Sequence, residues 1–143
     1  MTGGISLRIP ATLESLGLVQ NFVGTQGKLL GLDAEMSARL ELVVEELVVN
    51  IGRYAYPQGG GDMEVDCVLD HDRKPPRFCL ILRDWGEAFN PLNKEAPDLE
   101  AGLDERQPGG LGIFLVRELA DHCSYRRQDD ANEFRACFVM PKG

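Results

Sequence analysis

Three short stretches of this 143-residue chain combine residue types that could do chemistry. The first is Glu45-Glu46-Leu47-Val48-Val49-Asn50. On a helix, Glu46 and Asn50 would share one face. A carboxylate able to act as general base, or to position water, would then lie one turn from an amide oxygen suited to Mg2+ beside phosphates. An amphipathic helix whose polar residues merely flank its apolar stripe would carry the same letters. The second stretch is Asp84-Trp85-Gly86-Glu87-Ala88-Phe89-Asn90-Pro91, directly after an apolar run. An aspartate at a strand end can accept a hydrogen bond from an adenine amino group, and Gly86 lets backbone approach a flat ring without a Cβ. A plain turn would use the same residues. Trp85, the sole tryptophan, could shield a ligand edge or be an incidental, partly exposed aromatic. The third is Gly109-Gly110-Leu111-Gly112. Before a helix, such glycines allow N–H groups to turn toward phosphates, where the helix N-terminus favours negative charge; they also serve as hinges.

The elements that must position these stretches follow from periodicity. Ile5 to Ile9 reads as a strand stopped by Pro10, and Leu13 to Lys28 as a helix with Leu13, Leu16, Val19, Phe22 and Val23 on one side. Asp33 is the expected N-cap of a second helix, with Met36, Leu40, Val43, Leu47, Ile51 and Tyr54 forming one apolar stripe. It should stop before Pro57 and the Gly59-Gly60-Gly61 run. Met63 to Leu69 alternates as a strand, His71 to Pro76 is a polar hairpin loop, and Phe78 to Leu82 is a continuous apolar run suited to a central strand. Gly86 to Gly112 is long, irregular and rich in Pro, Gly and charge, which in a small domain marks a functional loop. Ile113 to Ala120 reads as a helix, Ser124 to Gln128 as a strand, Asp129 to Asn132 as a turn and Glu133 to Met140 as a last strand. The order β-α-α-β-β-loop-α-β-β places helices on one face of a mixed, mostly antiparallel sheet, an α+β two-layer sandwich.

Composition narrows the function. A chain of this length builds one domain with a real core. Its net charge of −8 argues against a nucleic-acid binder and against anchoring to an anionic membrane. A nucleotide phosphate would need local donors. Cys67, Cys79, Cys123 and Cys137 form no C-x-x-C pair and read as small hydrophobes in or near the core. There is no signal-peptide pattern and no membrane-length apolar run, so a reduced, cytoplasmic protein is expected.

Taken in order, a helix with Glu-x-x-x-Asn, a strand ending in Asp-x-Gly, a long loop and Gly-x-Gly at a helix start resemble the GHKL, or Bergerat-fold, ATPases. Glu46 to Asn50 is similar to that superfamily's N box, Asp84-Trp85-Gly86 to its first glycine box and Gly110-Leu111-Gly112 to its second. Within it, the chain most resembles the anti-sigma-factor serine/threonine kinases. Arg53-Tyr54-Ala55-Tyr56 after the N box, Phe89-Asn90-Pro91 after Asp-x-Gly, and Gly109 to Val116 carry that likeness, which runs from about Ile5 to Pro141. Tyr54 stands where the group often has His, and Ala88 where the superfamily often has a second glycine. The resemblance implies a single histidine-kinase-like ATPase domain over residues 1–143 with an ATP lid at about 91–108. It implies Glu46 as catalytic carboxylate, Asn50 holding Mg2+ against the phosphates of ATP, Asp84 recognising adenine with Gly86 beside it, and Gly110 and Gly112 cradling phosphates. Arg106 could reach a phosphate from the lid, whose only lysine is Lys94.

The implied function is an anti-sigma factor that phosphorylates a small STAS-type antagonist in a partner-switching pathway, with a sigma factor as further partner and a homodimer as the expected assembly. An alternative is a nucleotide-dependent binding switch of the same fold with little or no phosphoryl transfer, motivated by Tyr54 and Ala88. A sensor histidine kinase fragment would need a phosphoacceptor histidine on an upstream helix. The only histidines are His71, in a hairpin loop, and His122, at a strand start. An interaction domain without nucleotide would make the three stretches coincidences.

Overall fold

The computed structural model describes residues 6–93 and 110–140. β1 (Ser6–Pro10) is followed by a 3-10 turn at Leu13–Ser15, α1 (Leu16–Leu29), α2 (Ala34–Tyr54), β2 (Asp62–Asp70) and β3 (Arg77–Asp84). A second 3-10 turn at Pro91–Asn93 precedes α3 (Gly110–Leu119), β4 (His122–Gln128) and β5 (Ala131–Val139). The strands form one sheet in the order β1-β2-β3-β5-β4, and all four pairings are antiparallel.

α2 is the element that carries the site, and local chemistry sets its ends. The Asp33 side chain accepts a hydrogen bond from the Met36 N–H at 2.9 Å, capping the first turn. At the other end Pro57 cannot extend the helix, and Gly59 and Gly60 turn the chain with φ of 75° and 82°. Of the stripe expected from the sequence, Met36, Leu40, Val43 and Leu47 are buried, joined by Val44 and Val48, while Ile51 and Tyr54 are only half-buried. α2 packs against both α1 and α3.

The sheet contributes its alternate residues to the same core. Met63, Val65 and Cys67 of β2, Phe78, Leu80 and Leu82 of β3, and Ala136 and Phe138 of β5 are buried with Val19 and Val23 of α1 and Ile113 and Val116 of α3. β3 is central, as its unbroken apolar run predicts: Cys79 and Ile81, on the opposite face, are buried too, with Val68 and Cys137. That outer face otherwise carries a row of alternating charge, in which Arg83 bonds Glu64, Asp66 and Glu133, and Glu133 also bonds Arg126.

Several expectations shift. Pro10 ends β1 from inside, paired with Asp62. The first helix is preceded by a separate 3-10 turn, where Ser15 donates to the Pro10 carbonyl at 2.7 Å. α3 begins at Gly110, so Gly110 and Gly112 lie within its first turn rather than before it. The last turn is only Asp129-Asp130, with φ of 53° and 62°, and Asn132 belongs to β5. The cysteines were expected to be unpaired small hydrophobes. That holds for buried Cys67 and half-buried Cys123, but Cys79 and Cys137 face each other across β3 and β5 as a disulfide. Among the described residues, no helix is long and apolar enough to cross a membrane.

Candidate functional site

Strand parity brings the site together. Phe78, Leu80 and Leu82 face the helices, so Asp84, two residues on, ends β3 on that same side. Asn132 is its direct partner on β5. The second half of α2 lies over this corner. Leu47, Ile51, Tyr54, Leu82, Phe89 and Phe134 form the apolar walls of a cleft into which Asn50, Asp84 and Asn132 also look. Few polar groups among apolar walls is the usual make-up of a small-ligand site. The Tyr54 and Phe89 rings meet at 6.1 Å between centroids, tilted 33°.

Asp84 is 6% exposed. Its Oδ1 accepts from the Gly86 N–H at 3.0 Å and from Asn132 Nδ2 at 2.9 Å. Burial pushes the carboxyl above the ordinary aspartate range, against the pull of those two hydrogen bonds and of the Arg127 charge. Arg127 itself donates to the Gly86 carbonyl at 2.8 Å.

Gly86 is required by a contact that the sequence did not reveal. A Cβ there would lie 1.9 Å from the Ala55 carbonyl oxygen, which also accepts from the Glu87 N–H at 3.1 Å. The loop after β3 is therefore seated on the C-terminus of α2. Trp85 does not line the cleft. Arg8 lies 4.4 Å above its ring, and its N–H donates to the Tyr56 hydroxyl at 2.7 Å; that hydroxyl donates on to the Asp62 carbonyl at 2.6 Å.

Glu46 lies one turn before Asn50 on α2, and α3 crosses at this point. A Cβ on Gly112 would be 2.3 Å from Glu46 Oε2, so the bare glycine is what leaves room for the carboxylate in its present position against α3. Burial and Glu45 push the Glu46 carboxyl above its ordinary value, and Arg53 opposes them. Asn50 lines the cleft with no hydrogen-bond partner for its side chain among the described residues, which leaves its amide oxygen free to face a cation. Among those residues no group of three His, Cys, Asp or Glu could hold a metal alone.

The structure thus unites Asn50 and Asp84 in one cleft and sets Glu46 against Gly112 beside it. Gly110 opens α3. Arg106, Lys94 and the rest of the expected lid beyond Asn93 lie outside the described residues. Asn132, Tyr125 and Arg127 were missed by sequence reasoning. The available signal was parity: Asn132 is in step with inward-facing Phe134, Ala136 and Phe138.

The family model for the histidine kinase-like ATPase domain matches residues 9–138. The chain is 31% identical over 99 residues to the serine/threonine-protein kinase BtrW of Bordetella bronchiseptica, covering 69% of this chain and 68% of that one. It is 27% identical over 126 residues to the serine-protein kinase RsbW of Halalkalibacterium halodurans, covering 82% and 72%. With RsbW of Staphylococcus aureus the identity is 23% over 130 residues, covering 87% and 79%.

Proposed function

We propose, for a chain that belongs to the histidine kinase-like ATPase domain family, that it is an ATP-dependent protein serine/threonine kinase acting as an anti-sigma factor. Its substrate in this reading is a small STAS-type antagonist, whose phosphorylation decides whether a sigma factor is held or released in the cytoplasm. The observation that carries the reading is the placement of three groups: Asn50 of α2 and Asp84 at the end of β3 line one cleft, and Glu46, one turn before Asn50, lies against Gly112 of α3. The kinase names of the relatives support it.

Each residue has a task that its surroundings fit. Asp84 accepts a hydrogen bond from the exocyclic amine of adenine, while Leu47, Ile51, Tyr54 and Phe89 exclude water from the base. Asn50 would hold Mg2+ through its amide oxygen, and the ion would neutralise charge on the phosphates. Glu46 accepts the proton of the attacking serine hydroxyl, a role for which a raised pKa suits a general base. The N-terminus of α3, opened by Gly110, favours the phosphate charge.

The test combines binding and transfer. Calorimetric titration with Mg-ATP of wild type and Asp84→Asn reports the cleft, and transfer of labelled γ-phosphate to purified antagonists, with Glu46→Ala beside wild type, reports the chemistry. Binding lost in Asp84→Asn and transfer lost in Glu46→Ala are the expected results. Transfer undiminished in Glu46→Ala would remove the assigned role. Tight ATP-dependent partner binding without any transfer would make the protein a nucleotide-dependent switch instead.

A further inference from the structure

We infer that Asn132 is a positioning residue that, by orienting Asp84, makes the cleft select a purine bearing an amino group over one bearing an oxo group at the same carbon. The inference rests on the reading of the cleft as an ATP site.

A neutral amide side chain has two N–H donors and two acceptor lone pairs. Asn132, 6% exposed, uses all four within the protein. Nδ2 donates to Asp84 Oδ1 at 2.9 Å and to the Glu87 carbonyl at 2.7 Å. Oδ1 accepts from the Phe89 N–H at 3.2 Å and from the Tyr125 hydroxyl. Rotating the amide by half a turn would set N–H against the Phe89 N–H, and oxygen against a carbonyl and a carboxylate. One orientation alone satisfies the surroundings. With its capacity used up, Asn132 has nothing to offer a ligand directly, and its influence passes through Asp84.

The two oxygens of Asp84 are unequal as a result. Oδ1 takes both protein donors, Gly86 N–H and Asn132 Nδ2. Oδ2 takes none among the described residues, and Asp84 lines the cleft. Donors on Oδ1 fix the carboxylate plane and stabilise its ionised form, which only accepts. An accepting oxygen pairs with an amino group and repels an oxo group, and in a buried site such a mismatch leaves both partners unsatisfied. Two of Asn132's other partners, Glu87 and Phe89, belong to the segment just beyond Asp84, so the same amide also fixes where that segment leaves the strand.

The test compares ATP with inosine triphosphate, which has a 6-oxo group and an N1–H where ATP has a 6-amino group and a bare N1, in calorimetric titrations with Mg2+. Wild type is expected to prefer ATP by at least about tenfold. Asn132→Asp preserves shape but puts a carboxyl group against Asp84; two adjacent carboxylates share a proton, and Asp84 can then present a donor. In this variant and in Asn132→Ala, ATP affinity should fall at least about tenfold. Inosine triphosphate affinity should change by less than about threefold, so that the ratio collapses. Tyr125→Phe, which removes one partner from the acceptor side alone, should lower the ratio by a smaller factor and guards against a variant that fails to fold. Melting curves identify the folded variants. A preference for ATP that survives in folded Asn132→Asp, or equal losses for both nucleotides, overturns the inference alone. A wild type that binds both equally, or neither, overturns the reading of the cleft and this inference with it.

Discussion

Glu46 and Gly112 are in such close contact that a single methyl group on residue 112 would lie 2.3 Å from the Glu46 carboxylate. The colliding atom is the tip of a flexible side chain, which can swing aside at little cost to the fold. Gly112→Ala is therefore expected to shift the melting temperature by less than about 4 °C. Single-turnover phosphoryl transfer should fall at least about tenfold, because the displaced carboxylate no longer meets the hydroxyl. An unchanged rate would argue that Glu46 works from some other position.

Gly86→Ala should behave in the opposite way. Its Cβ would meet the backbone oxygen of Ala55 at 1.9 Å, and a backbone atom at the end of α2 cannot step aside. Overpacking of this kind should cost about 2 kcal/mol or more, read as a lower urea midpoint with an unchanged slope. Equal stability of the variant and wild type would show that the loop can leave the helix freely.

The Glu46 carboxyl is raised by burial and by Glu45, and lowered by Arg53. A general base works only when ionised, so transfer should be lost as pH falls through this raised value, at a higher pH than for an ordinary glutamate. Arg53→Ala removes the one opposing charge. The acid limb of its pH–rate profile should move to still higher pH, while a limb that stays in place would detach Arg53 from the base.

On the outer face Glu133 bonds Arg83 at 2.8 Å and Arg126 at 3.0 Å; burial pushes its carboxyl up, but these partners outweigh it and hold the carboxyl below the ordinary glutamate value of 4.5. A depressed folded value contributes stability that is fully present above the unfolded value and is lost as pH falls through the folded one. Glu133→Gln should cost about 1–3 kcal/mol at neutral pH. The variant and wild-type urea curves should converge once the pH is low enough to protonate Glu133. A gap that persists in acid would assign the cost to packing instead of charge.

Much of this architecture was legible because α2 and β3 announce themselves. The apolar step from Met36 to Tyr54 marks a helix face, and Glu46 and Asn50 can then be placed relative to one another. The run from Phe78 to Leu82 marks a central strand and leaves Asp84 at its end. What escaped depends on register. The β4–β5 hairpin turns at Asp129-Asp130, both at positive φ without a glycine to signal it. Assigning Asn132 to the turn removed it from the inward-facing row, where it meets Asp84. The Cys79–Cys137 pair is 58 residues apart and can be found only once β3 and β5 are aligned. Gly86 and Gly112 were marked as notable for the room they might give a ligand; in the folded chain each also makes room for another helix's atoms, a contact between elements far apart in sequence.

The strand order leaves β1 and β4 at the margins of the sheet. β1 finishes in Pro10, which has no N–H to offer an incoming strand. β4 carries Arg126 and Arg127 side by side, and charged side chains on an edge strand discourage pairing with another strand. Both margins therefore carry features that disfavour the addition of a further strand to the sheet.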